Sequence, residues 1–362
     1  MSDLAPAARA PLLVLGFVAL LLGVAGGLVR LGLPLPATAA GVAWHGALMA
    51  SAFFGTLIAL ERAVAIGRRW AYLAPAACGA GGVVLLAGYA RTGFALLAAG
   101  SAVFAVASTS IWWRHRAPHT GLLALGALGL LAANLALLAG MPAESSVPCW
   151  IAFLTLTIGG ERLELSRLSP VPPAARAAFA VLGVALLLSA FAALAAFGPA
   201  LRALGVLLVA CAAWLARYDI ATRTVRAAGL TRYIALCLLA GYAWLALGGA
   251  LLASGAAFDN GRALWDAALH AVMLGFVFSM VFGHAPVILP AVLRVALPYS
   301  AILYAPLALL HVSLAIRFAG DLGTSASLRA AGGAGNALAI AIFILTAAAL
   351  ALSHGGRDQS KT

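Results

Sequence analysis

The sequence predicts an all-α, polytopic membrane protein of about twelve transmembrane helices in three pseudo-repeated four-helix units. Three observations lead there. Hydrophobic residues make up 64% of the chain and charged residues only 9%, more apolar surface than a soluble fold of this length has interior to hide. The apolar residues fall in runs long enough to cross a bilayer, which takes about twenty of them. Short stretches of these runs also echo one another at separations that divide the chain into successive units.

In order, the spans are expected near Pro11–Val29, Ala40–Ile66, Tyr72–Tyr89, Gly93–Trp113, Gly121–Gly140, Val147–Leu165, Ala174–Phe197, Ala200–Leu215, Gly229–Ser254, Ala263–Gly283, Pro298–Phe318 and Ala330–Ser353. The first run is longer than the apolar region of a signal peptide and reads as a membrane span. Only Gly198 and Pro199 divide the seventh from the eighth. Of the 22 basic residues, sixteen fall on the side that holds both termini and six on the other. That bias predicts that both ends are cytoplasmic.

The same basic residues exclude a nucleic-acid partner. All but Lys361 are arginines, scattered between apolar runs without forming a basic stripe, so they read as topology signals. Cys78, Cys149, Cys211 and Cys237 lie in apolar segments without metal-site spacing and read as small packing residues. No Gly-rich phosphate loop with a lysine and no hydrolase triad stands out.

The repeats centre on three spans. Phe53–Arg62 reads FFGTLIALER and Phe153–Arg162 reads FLTLTIGGER, so Glu61-Arg62 and Glu161-Arg162 stand one hundred residues apart at the ends of spans two and six. His45 opens span two in WHGALMASAFFG, and His270 opens span ten in LHAVMLGFVFSMVFGHAPVILP. Spans two, six and ten thus become matching members of units 1–120, 121–228 and 229–362. The Glu-Arg pairs read as an interfacial charge network in which each Glu meets an Arg of another span, with proton uptake as the alternative.

The histidines separate by depth. His115, His119 and His354 read as solvated surface residues. His45, His270 and His311 fall inside spans, at similar depth toward the outer side. An ionisable side chain there is costly and ordinarily faces an interior partner or cofactor, and neutral imidazole ligates haem iron and copper well. Hydrogen bonding across helices is the plainer reading for each one alone, but the matching positions of His45 and His270 favour ligation. Fourteen residues separate His270 from His284, about 320° of helical rotation and roughly 21 Å of rise. The two rings are expected to share a face without sharing a metal. His284 is expected where the helix breaks before Pro286 and Pro290, as a cap or loop anchor or as an inner metal ligand.

Twelve spans, three four-helix units and histidines in spans two and ten resemble the haem-copper oxidase subunit I superfamily. Within it, WHGALMASAFFG and LHAVMLGFVFSMVFGHAPVILP resemble segments of the NnrS family, membrane proteins that carry haem and copper and are linked to nitric oxide metabolism. The resemblance implies haem on His45 and His270, with His311 as a further ligand, to copper, near Met273 or Met280. It also implies nitric oxide or a redox partner, and an oxidoreductase if there is turnover. Spans six and seven lack the copper-binding histidines of the oxidases, span ten has one histidine where they have a close pair, and the proton-channel lysine is absent. Oxygen reduction at a haem-copper centre is therefore rejected. Two other readings stand beside this one: a secondary transporter of a small solute or metal ion, with the outer histidines as its site, and an assembly factor whose histidines only pack.

Overall fold

The computed structural model describes residues 3–259 and 262–359. Lys361 lies outside them, as do the side chains of Arg262, His354 and Arg357. Among the described residues every regular element is helical. Eleven helices are long and apolar enough to cross a membrane, as expected of an all-α polytopic protein in a lipid bilayer.

Those eleven are α1 Pro6–Arg30, α2 His45–Ile66, α3 Arg69–Leu86, α4 Ala90–Arg114, α5 Pro118–Leu138, α7 Pro173–Ala192, α8 Phe197–Tyr218, α9 Gly229–Ser254, α10 Ala263–Leu293, α11 Ala301–Leu322 and α12 Ala326–Ser353. Between α5 and α7 lies α6, Ala143–Leu165, which carries Glu144, Glu161, Arg162 and Glu164 and is more polar than the rest. Its residues from Ser146 to Gly160 are all buried. A helix so enclosed need not present an apolar surface to lipid, which accounts for its weaker hydropathy.

The chain divides into two compact units, Met1–Glu164 with Pro172–Leu201 and Leu165–Val171 with Arg202–Thr362. In the first unit, α3 packs on α4, α4 on α5 and α5 on α7, while α1 lies along α2 and α3. Glycines set the approach of α1 to α2. A β-carbon on Gly16 would lie 3.4 Å from Thr56, one on Gly23 would meet Met49 at 3.1 Å and Leu48 at 3.2 Å, and one on Gly26 would overlap the backbone of Gly41. Between membrane helices, close backbone approach of this kind yields the dispersion contacts that hold them, because lipid is as apolar as their side chains.

In the second unit, α9 packs against α10, and α11 against α12. Gly241 and Gly248 of α9 receive α10, with Phe276 O 3.4 Å and Ala268 O 2.9 Å from where their β-carbons would stand. Phe282 and Phe343 stack face to face at 3.9 Å. Buried Asn336 on α12 donates to Leu310 O at 3.1 Å and to Ser313 Oγ at 2.7 Å on α11.

Three helical details differ from expectation. The second span is not continuous: Trp44 sits at φ −108°, ψ 23°, between a short helix Ala39–Ala43 and the run that begins at His45. The tenth does not end before its prolines. It continues through Pro286 and Pro290 to Leu293, where Arg294 takes left-handed φ 56° and its amide bonds Pro290 O. Proline removes one amide bond at each site but leaves the turn intact, and the apolar surroundings offer a freed strand of chain no water to bond. Third, α2 and α10 each contain a π-helical segment, Leu48–Phe54 and Ala271–Phe278. Such a segment adds a residue to a turn and sets later residues back by roughly 100°. The facing expected of His270 and His284 assumed an unbroken α-helix, and this segment rotates His284 away from it.

Candidate functional site

Both paired histidines stand directly before a π-helical segment. His45 precedes Leu48–Phe54 by one short turn, and His270 immediately precedes Ala271–Phe278. Such segments are rare and are frequent at functional sites, where the widened turn exposes backbone groups and redirects side chains. The periodicity of apolar residues gave no sign of either one, since both segments are apolar all round.

The ring of His45 lies against α1. Its Nδ1 is 2.7 Å from Gly23 O, and a β-carbon on Gly27 would stand 2.8 Å from its Cε1. Gly27 is therefore the space the imidazole fills. A carbonyl oxygen only accepts, so Nδ1 carries the proton and Nε2 is the unprotonated nitrogen.

His270 has the same tautomer with a stronger partner. Its Nδ1 lies 2.8 Å from Asp266 O and 3.2 Å from Asp266 Oδ1, one turn earlier on α10. Asp266 in turn accepts from Arg317 of α11 at 2.6 Å, and Arg329 of α12 stands 3.7 Å away while pairing with Asp321 at 2.5 Å. Arg317 and Asp321 are buried. The sequence reads Arg317 and Arg329, like the other arginines, as topology signals. They are also members of a partly buried ion network, of which the Asp266-to-His270 spacing of one helical turn signals only the contact within α10.

His311 is held differently. Trp244 Nε1 donates to its Nδ1 at 3.0 Å, so the proton of the neutral ring sits on Nε2. That nitrogen is 3.4 Å from Ser279 Oγ, whose own hydroxyl donates to Cys237 O at 2.7 Å. The Trp244 ring also fills the place of a β-carbon on Gly275, inside the π-helical segment. The first unit has a parallel: Trp150 of α6 donates to Ser51 Oγ in the other π-helical segment at 2.9 Å and lies 3.1 Å from where Gly46 would carry its β-carbon.

His284 Nδ1 bonds Met280 O at 2.8 Å within its own helix, so it does not cap a helix end. His115 is exposed and His119 lies in the first turn of α5. Among the described residues no three His, Cys, Asp or Glu side chains gather closely enough to hold a metal ion by themselves. The four cysteines are free and buried. The Glu-Arg pairs of α2 and α6 do meet: Glu61 is within electrostatic reach of Glu161 and Arg62, and Glu161 of Arg162, Arg62 and Glu164.

A family model described as a domain of unknown function, DUF8744, matches residues 9–352. The chain belongs to the DUF8744 family. The match takes in all of α2 to α11, so both histidine-led π-helical segments of this DUF8744 chain lie inside the family domain. No curated protein and no solved structure matches it.

Proposed function

We propose that this chain is an NnrS-like integral membrane protein that binds haem through His45 and His270 and serves nitric oxide handling or respiratory electron transfer. One observation carries the reading. In both residues the Nδ1 proton is committed to a backbone carbonyl, so the nitrogen that would ligate iron is Nε2, and each ring is held in a fixed orientation for it. A π-helical segment follows each of them. Asp266 adds negative charge behind His270, which makes that imidazole the more basic donor. Bound haem would supply one-electron chemistry and a ligand position for a diatomic gas, while the chain sets donor basicity and the polarity around the group.

Copper has less to support it. His311, the donor that the resemblance implies, is engaged at both ring nitrogens, Nδ1 by Trp244 and Nε2 by Ser279, while His284 bonds Met280 O at Nδ1 as His45 and His270 bond carbonyls. The crossing of the bilayer by α6 as well, the arrangement in units 1–120, 121–228 and 229–362, and both termini in the cytoplasm of a bacterium belong to the same proposal. The meeting of the α2 and α6 Glu-Arg pairs supports the equivalence of those two spans.

The test is an absorption spectrum of the purified chain, before and after addition of haem, beside His45→Ala, His270→Ala and the exposed control His115→Ala. A Soret band in the wild type and control that is lost in the other two is expected. A wild type that stays colourless with added haem sinks the reading. The alternative, a secondary transporter of a small solute or metal ion, draws on the partly buried Asp266–Arg317–Arg329–Asp321 network, since such charges often mark a transport path. Solute uptake by vesicles holding the colourless protein would favour it.

A further inference from the structure

We propose that a cleft at the N-terminal ends of α9 and α11 binds a phosphate-type oxyanion, supplied by the headgroup of an anionic phospholipid. The cleft has a volume of about 350 Å³ and is lined by Ala228, Gly229, Arg232, Leu236, Tyr299 and Tyr304. It lies wholly within the second unit and does not depend on the haem reading.

The lining supplies donors and no carboxylate. Arg232 presents a guanidinium, whose planar fork matches two oxygens of a phosphate. Tyr304 lines the cleft beside Tyr299 and within electrostatic reach of Arg232. Each of the two phenols carries an O–H that can donate to an anion. Gly229 sits at φ +64°, with the Tyr299 ring 4.0 Å from where its β-carbon would be, which lays that ring over the first turn of α9. No side chain caps that turn, so its amides add a further positive edge to the cleft.

Depth favours a lipid as the source. Both α9 and α11 begin at this cleft, which places it at one membrane surface, where tyrosine and arginine meet phosphates. Leu236, one helical turn beyond Arg232, gives an apolar floor suited to the glycerol and first methylenes of a lipid, and unsuited to a fully hydrated ion.

The experiment is native mass spectrometry of the full chain in detergent, titrated with phosphatidylglycerol or phosphatidylcholine, with Arg232→Gln, Tyr304→Phe and Arg116→Gln compared. Phosphatidylglycerol should be retained about tenfold more strongly than phosphatidylcholine, the scale of one charge-assisted contact. Arg232→Gln should erase that preference, Tyr304→Phe should weaken it, and Arg116→Gln, an exposed arginine over Trp112 and Trp113, should leave it intact. Arg232→Lys keeps the charge without the fork and serves if the Gln variant does not fold; it should lose part of the preference. Displacement of phosphatidylglycerol by millimolar inorganic phosphate would assign the same site to the free anion. Equal retention of the two lipids by the wild type, or an unchanged preference in both Arg232 variants, overturns the proposal.

Discussion

The carboxylate of Asp266 contacts groups on two helices, approaching His270 Nδ1 to 3.2 Å and Arg317 to 2.6 Å. It therefore couples the orientation of a candidate ligand to the packing of α10 on α11. Removing it should be felt twice. In Asp266→Asn the largely buried Arg317 keeps a neutral partner, whereas Asp266→Ala leaves it unpaired, so the Ala variant should lose about 2–4 kcal/mol of stability and the Asn variant less. Thermal unfolding in detergent checks the order. If haem is bound, Asp266→Asn should also raise its midpoint potential, because a less basic imidazole stabilises ferric iron less. An unchanged potential would separate the carboxylate from the ligand.

Gly27→Ala tests the seat of His45. The added methyl would stand 2.8 Å from the ring, closer than carbon atoms pack, so the imidazole must turn and release Gly23 O. Overpacking of this kind costs about 1–3 kcal/mol. The expected result is a folded protein with weakened haem retention, read as the Soret absorbance per polypeptide, while Gly67→Ala serves as a control outside the site. Equal retention in Gly27→Ala would mean that His45 does not need this pose.

Deleting Ala52 should convert the π-helical turn of α2 into regular α-helix without lengthening any loop. The chain should still enter the membrane, since the apolar length changes by one residue, and residues after the deletion keep their facing, but the widened turn beside His45 closes. Loss of haem with retained membrane extraction behaviour is expected. Full haem content in the deletion would show that the segment is structural only.

Asn336→Leu addresses α12. Its amide bridges Leu310 O and Ser313 Oγ from a buried position, and contacts of this kind between membrane helices contribute about 0.6–2 kcal/mol. A lowered unfolding temperature is expected, with no change in the absorption spectrum.

Much of the architecture was legible because a bilayer demands long apolar runs. Eleven of the twelve expected spans correspond to helices long and apolar enough to cross a membrane, and the twelfth, α6, is a helix with a continuous buried middle from Ser146 to Gly160. What the sequence concealed is local. Runs such as AVMLGFVF are apolar on every side, so no periodicity distinguishes an α-turn from a π-turn. The role of Gly27 depends on which ring lies over it, and a glycine in a membrane helix is ordinary. Arg317 and Arg329 looked like loop charges because each stands near the end of a span. Only their proximity to Asp266 and Asp321 reveals an ion network, and that proximity arises from three different helices.

The buried state of Cys78, Cys149, Cys211 and Cys237 has a practical consequence. A polar maleimide added to intact vesicles should leave all four native thiols unmodified. Single cysteines placed at Trp113 or Tyr89, exposed positions at opposite ends of α4, can therefore be tagged against a silent background. Which one reacts from outside gives the sidedness of the whole chain.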